Sequence, residues 1–256
     1  MEKSYTYKIK PLTLVNVLII DLTYMKTGVC IAGINLNNFR NIRPVRFSDH
    51  IQMDFIERNG IYPCAIVTFE GMQKYNVLAP HTEDFNVKDS VVFRRFVSQE
   101  EWLELLKRCA SESLPDRLKH TIQEDKWIPP ETDVPSLSLI ELRSRPVIRS
   151  IKRKEGGITD IRASFVSGGR EFLLKVNDIQ IVGFLENRHK IRMQENPGYG
   201  EEVFLQEIND ELFTENAYYY IRVGLTRPYQ ERCWLQINGI FTERSDVLVR
   251  RFTTGR

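Results

Sequence analysis

Apolar positions along this chain fall mostly into short runs with the periodicity of strands. Val15–Asp21 (VNVLIID) is almost continuously apolar, which suits a strand buried on both faces. Gly28–Ile34 and Arg40–Val45 flank the polar tip Asn35–Asn38. Because asparagine tolerates left-handed backbone, that tip predicts a hairpin. Ile61–Glu70 and Ser90–Phe96 add two more strands to the first half. In the second half Asp160–Ser167, Arg170–Lys175, Ile179–Phe184, Arg188–Met193, Tyr218–Gly224 and Arg232–Phe241 read the same way, with SGGR at Ser167–Arg170 as a tight turn.

Two helices interrupt this pattern. Ser98 with Glu101 forms a capping box, after which Trp102, Leu105, Leu106 and Cys109 recur at helical spacing and Pro115 ends the segment. Trp102 is therefore a packing residue. Phe204, Ile208 and Leu212 predict a second helix over Glu201–Phe213. With no βαβ alternation, a doubly wound parallel sheet is excluded. The expected architecture is mainly β with a few helices, built as two tandem OB-like small β-barrels. The first spans 1–125 with a C-terminal helix, a Pro-rich linker occupies 126–140, and the second spans 141–256 with an inserted helix.

The segment VLIIDLTYMKTGVCIAGINLNNFRNIRPV resembles the opening of the prokaryotic dual OB-fold-containing domain family. Asp21, Thr23, Met25, Cys30, Gly33, Ile42, Arg43 and Pro44 carry the resemblance. Gly169–Gln180 and Tyr218–Phe241 are similar to that family's later strands, so the likeness extends over nearly the whole chain. It implies two OB-like barrels and a role in recognising nucleic acid or nucleotides, and it brings no catalytic residue with it.

Charge refines this picture. Across 256 residues, Lys+Arg 36 against Asp+Glu 34 leaves a net charge of +2, which excludes a strongly basic, non-specific coat. The balance is an average, however. Between Glu141 and Glu155 stand Arg143, Arg145, Arg149, Lys152, Arg153 and Lys154, with Arg162 just beyond. Arg40, Arg43 and Arg46 punctuate a predicted strand whose alternation separates Arg43 from the other two. Arg188, Lys190 and Arg192, read as a strand, would form one cationic stripe suited to a phosphodiester backbone. Tyr218–Tyr220 beside Arg222 and Arg227 combines aromatic and cationic groups as single-strand-binding surfaces do, and Tyr219 is the expected stacking ring.

Enzymatic signals are thin. Four separated cysteines lack C-x-x-C spacing, there is no phosphate-binding loop or nucleophile elbow, and the nearest candidate cluster is His81, Glu83 and Asp84. No cofactor, metal or catalytic residue is expected. The apolar stretch near the start is broken by Thr13 and Asn16 and followed by Asp21 rather than a small-residue cleavage site. No apolar run approaches the roughly 18 residues of a membrane span. The expectation is a soluble, cytoplasmic, non-enzymatic protein that binds single-stranded RNA or DNA. The alternative is a nucleotide or small-signal sensor, or an adaptor for a protein partner, in prokaryotic defence or stress.

Overall fold

The structure, a computed structural model, describes residues 11–242 apart from 26, 47–49, 75–76, 155–156, 197 and 215–216. At 153, 154 and 157–159 the backbone alone is described.

The first half is a closed barrel of β1 (Thr13–Met25), β2 (Gly28–Asn35), β3 (Arg40–Arg46), β4 (Ala65–Gln73) and β5 (Asp84–Phe96), joined in the order β1-β2-β3-β5-β4. β3 and β5 run parallel and the other pairs antiparallel. Helix α1 (Met53–Arg58) lies between β3 and β4. Val17, Ile19, Ile31, Val67 and Phe69 fill the interior at 0% exposure. β2 and β3 form the expected hairpin around Asn35–Asn38.

After α2 (Gln99–Cys109), α3 (Leu114–Arg117) and the short β6 (Trp127–Ile128) come β7 (Leu137–Leu142), β8 (Val147–Lys154), β9 (Gly157–Ser167) and β10 (Arg170–Val176). Helices α4 (Ile179–Glu195) and α5 (Glu201–Leu212) follow, then β11 (Tyr219–Leu225) and β12 (Cys233–Thr242). Their path is β7-β11-β12-β10-β9-β8, with β6 added on β12. This strand order repeats that of the first barrel, except that its end strands β7 and β8 do not pair to close it. The antiparallel β8-β9-β10 corresponds to β1-β2-β3, and the parallel β10–β12 pair corresponds to β3–β5. β1 pairs with β4 through its first half and with β2 through its second. The same two tasks fall to β7, which pairs with β11, and β8, which pairs with β9. Residues 143–146 separate them, and Pro146, which has no amide proton for a ladder, marks the break.

Ser98 caps α2 as expected, accepting from the Glu101 amide, and Trp102 is buried. The strands predicted at Ile179–Phe184 and Arg188–Met193 are instead parts of one helix, α4. Asp178 accepts from the Gln180 and Ile181 amides as N-cap, and Ile181, Phe184 and Leu185 bury one helical stripe. Six residues of alternating charge in RHKIRM fit a period of two as well as a helix surface, and the cap decides between them. The stretch expected as a linker, 126–140, contains β6 and the start of β7. No helix among the described residues is long and apolar enough to cross a membrane.

An apolar layer joins the halves. Leu18, Ile20, Ile34 and Ile66 on the outside of the first barrel meet Trp102 and Leu106 of α2 and Leu139, Tyr220 and Phe241 of the second half. Trp102 and Phe241 pack edge to face, with ring centroids 5.5 Å apart. Ile179, the first residue of α4, joins the interior cluster of the first barrel.

Gly33 is a point of close approach in β2, since a Cβ there would lie 2.4 Å from the Leu18 carbonyl oxygen. Gly33→Ala is expected to destabilise the protein by about 1–3 kcal/mol, the range for overpacking. In thermal unfolding followed by circular dichroism this is a drop of several degrees. An unchanged melting temperature would contradict the close contact.

Candidate nucleic-acid interface

In the first barrel, the outer face of β2 and β3 is closed off by the second half of the chain. Arg43, expected on a surface, is 6% exposed and turned toward the second half. Its Nη1 donates to Asp84 at 3.1 Å and lies 3.1 Å from His81 Nδ1, while Nη2 donates to Ser136 Oγ at 2.6 Å. Arg227 reaches the other Asp84 oxygen at 2.5 Å, and Glu83 accepts from the amide and hydroxyl of Ser136. Because Arg43 can only donate, His81 Nδ1 is the acceptor there. Its Nε2 therefore carries the proton and donates to the Thr226 carbonyl at 3.0 Å. Burial and the neighbouring Arg43 push the imidazole down to about 3, keeping it neutral. His81, Glu83 and Asp84 thus do form a cluster, as part of the junction between barrels. Among the described residues no group of His, Cys, Asp and Glu has the makings of a metal site.

A second buried pair lies alongside. Arg222 Nε stands 3.2 Å from Asp21 Oδ2, both side chains at 0% exposure, and Arg222 Nη1 donates to Asn41 Oδ1. The position of Asp21 depends on a bulge. Between Ile19 and Asp21 the register of β1 against β2 shifts, so Ile20 and Asp21 both face outward and Leu22 returns to the barrel interior. A matching shift between Arg222 and Val223 leaves Asn238 of β12 as the extra residue. Burial raises the Asp21 carboxyl above its usual range against the pull of Arg222, and lowers Arg222.

These findings correct three expectations. Arg43 and Arg222 are interior cations that tie the barrels together, and neither offers a surface to a ligand. Tyr219 is 1% exposed, packs on Phe213 and donates to the Thr214 carbonyl; Tyr220 is buried at 3%, and Tyr218, just before β11, is the exposed ring at 62%. The cationic stripe is also dispersed. On a helix, positions 188 and 192 share a face while 190 points away. Arg188 accordingly pairs with Glu211 of α5, and Arg192 with Glu207 of α5 and with Glu195, pinning two antiparallel helices together. Lys190 is exposed and makes no ion pair among the described residues.

The remaining sequence candidates lie on the surface. Arg40 is exposed, and Arg46 pairs with Asp89. Arg143 stands 3.8 Å from Glu112, and Arg145 3.7 Å from Asp210. Arg149 donates to Ser164 Oγ at 2.8 Å, and Lys152 is exposed. The side chain of Arg153 lies outside the described residues. Arg149 and Lys152 sit on the outer face of β8, beside Asp160, Arg162 and Val166 of β9 and Glu171, Leu173 and Lys175 of β10. Unlike its counterpart in the first barrel, this face is open, with Val166 and Leu173 at 47% and 44% exposure. A hollow of about 180 Å³ at its edge is lined by Tyr24, Asp160 and Lys175. Sequence reasoning passed over Tyr24 and Lys175 because they belong to separate runs that only the packing of the barrels brings together.

The dual OB-containing domain family matches residues 15–240. The chain belongs to this family. Its two strand circuits, each with a parallel β3–β5-type pair, are what a dual OB-containing chain requires, and the expected fold class holds. No curated protein matches the sequence. Among solved structures it is similar to a murine DNA-binding protein bound to double-stranded DNA, at 10% identity over 91% of this chain and 97% of that one, TM-score 0.32. It is also similar to tetrameric p202 HIN2, at 10% identity over 91% and 92%, TM-score 0.29. Likenesses at this level carry no argument about function.

Removing one partner of the buried pair leaves an uncompensated charge, so Arg222→Met is expected to cost about 3–5 kcal/mol. Asp21→Leu combined with Arg222→Met should recover much of that loss in urea denaturation. A double variant no more stable than the single would show that the pair is not the source of the cost.

His81 adds a pH dependence. Its folded value lies below the unfolded 6.5, so its contribution is intact above pH 6.5 and is lost as pH falls from there toward 3, at about 1.4 kcal/mol per unit. Asp178, raised to about 7 by burial, works in the opposite sense and favours the fold as pH falls from 7 toward 3.8. His81→Gln should therefore lose less stability than the wild type between pH 6.5 and 4.5. Parallel curves would rule out a neutral His81.

Proposed function

We propose that this dual OB-containing chain is a non-enzymatic single-strand nucleic-acid-binding protein that holds its ligand on the open β8-β9-β10 face of the second barrel. The observation that carries this reading is the contrast between two equivalent faces. OB barrels bind oligonucleotides on the face of their second and third strands. Here that face is covered in the first barrel and open in the second.

The chemistry of the open face supports the reading. Arg149, Lys152, Arg162 and Lys175 outnumber Asp160 and Glu171, and exposed Val166 and Leu173 lie among them. Cations spaced along adjacent strands suit a phosphodiester backbone, and exposed apolar groups give the bases a surface to lie on. Tyr24, half exposed at the end of β1, supplies an aromatic ring beside Lys175. Arg149 and Arg162 already rest on Ser164 and Asp160, which holds them in place without burying them. Lys74, Lys190 and other scattered surface cations play no part in this reading.

Anisotropy titration of a labelled oligothymidylate or oligouridylate at several salt concentrations tests it. Binding at low salt should weaken with a log–log slope near −2, as expected for about three phosphate contacts on a single strand. The double change Arg149→Glu, Lys175→Glu should weaken binding at least tenfold, while Lys190→Glu on α4 leaves it unchanged. Absence of binding at low salt, or full binding by the double variant, would refute the proposal.

A further inference from the structure

A groove of about 820 Å³ opens at the other end of the first barrel, between the β2–β3 hairpin tip, the end of β4 and the segment leading into the second half. Its volume falls within the roughly 300–1,000 Å³ of small-molecule sites. Most described arginines lie within ion-pair reach of a carboxylate or, like Arg94, donate to a neighbouring side chain, and Arg232 lies over the rings of Trp127 and Trp234. Arg40 and Arg117 are exposed, line this groove and have no such partner among the described residues. Arg108 also lacks a carboxylate and lies over the ring of Phe39, 3.5 Å from its centroid, where Phe39 itself lines the groove. Three guanidinium groups without counter-charge thus gather around one hollow in a chain whose net charge is +2.

The remaining lining is rich in carboxamides whose bonds are only half used. Asn35 and Asn38 each accept one backbone amide through Oδ1, and no bond from their amide nitrogens appears among the described residues. Gln73 uses its amide nitrogen on the carbonyls of Thr82 and Asp84, leaving its oxygen as an acceptor. Glu83, the carboxylate in the lining, is already occupied by Ser136 and Leu137, so it does not compete for Arg40 or Arg117.

We infer that this groove binds a nucleotide, with its phosphates held by Arg40 and Arg117, its base set against Phe39, and the base edge met by the free amide groups of Asn35, Asn38 and Gln73. Guanidinium groups match phosphate oxygens in pairs, carboxamides offer a donor and an acceptor to a base, and an aromatic ring backed by arginine provides a stacking surface. The groove shares no residue with the β8-β9-β10 face, so this site does not depend on the oligonucleotide reading.

Isothermal titration of the full chain with ATP and GTP tests it, with adenosine, guanosine and inorganic pyrophosphate as comparisons. At least one nucleotide should bind, and its nucleoside and pyrophosphate should each bind at least tenfold more weakly. Arg40→Gln with Arg117→Gln should weaken the nucleotide at least tenfold. Both residues are exposed, so the melting temperature of the unliganded protein should not change. Oligonucleotide binding should survive this change, and nucleotide binding should survive Arg149→Glu, Lys175→Glu. Failure of both nucleotides to bind, undiminished binding by the Arg40, Arg117 variant, or pyrophosphate binding as tightly as the nucleotide would overturn the inference.

Discussion

The arrangement of the molecule depends on two opposite charges kept away from water. Asp21 and Arg222, both at 0% exposure, are separated by about 200 positions in the sequence and meet where the two barrels touch. Each sits among apolar neighbours in its strand, Ile20 and Leu22 around Asp21 and Ile221 and Val223 around Arg222, and neither can be left alone in such surroundings without a cost of several kcal/mol. The backbone accommodates them through irregularities. A bulge in β1 turns Asp21 outward, and a second bulge, in β12, lies opposite Arg222. Around this pair, Arg43, Asp84, His81 and Arg227 extend the polar seam, and the Trp102–Phe241 layer seals its apolar side. Such a seam restricts how the barrels can sit together, because a shifted arrangement would strand several buried charges at once.

The seam makes two barrels of one topology differ in use. Their strand orders correspond, down to the parallel pair that each contains. In the first, the outer face of β2 and β3 is spent on holding the second half. In the second, the corresponding face looks out to solvent with cations along it. The small net charge hides this division, since acids elsewhere are matched to the arginines that hold helices and barrels together. On the exposed face cations outnumber the acids among them, and Arg40 and Arg117 at the groove have no carboxylate partner among the described residues.

Much of the fold was legible in the sequence. Apolar runs bounded by turns located the strands of the first barrel, the Asn-rich tip located its hairpin, and Ser98 with Glu101 located α2. These signals are local, so they survive folding unchanged. The α4 segment misled because its alternating charges fit a strand as well as a helix, and the Asp178 cap was the better evidence. The site was much harder to read. Arg43, Arg222 and Tyr219 had the residue types of a binding surface, but only tertiary packing decides whether a strand residue meets water. One signal was nonetheless available. A lone Asp after VNVLII and a lone Arg within YYYIRVGL each imply a buried partner of opposite charge, and the two together suggest each other.

The apolar layer also has a consequence for the chain as it is being made. The strands of the first barrel are all present once Phe96 has emerged, yet Leu139, Tyr220 and Phe241, which cover its outer side, follow much later. The last of these comes about 145 residues on, a delay of roughly 7–30 s at ordinary rates of translation. Until Leu139 emerges, Leu18, Ile20 and Ile34 have only α2 to shelter them from the second half's side, and the cover is complete only with Phe241. The nascent first barrel therefore keeps an apolar flank uncovered while the ribosome is still working, and that flank is where misassembly between neighbouring chains would begin.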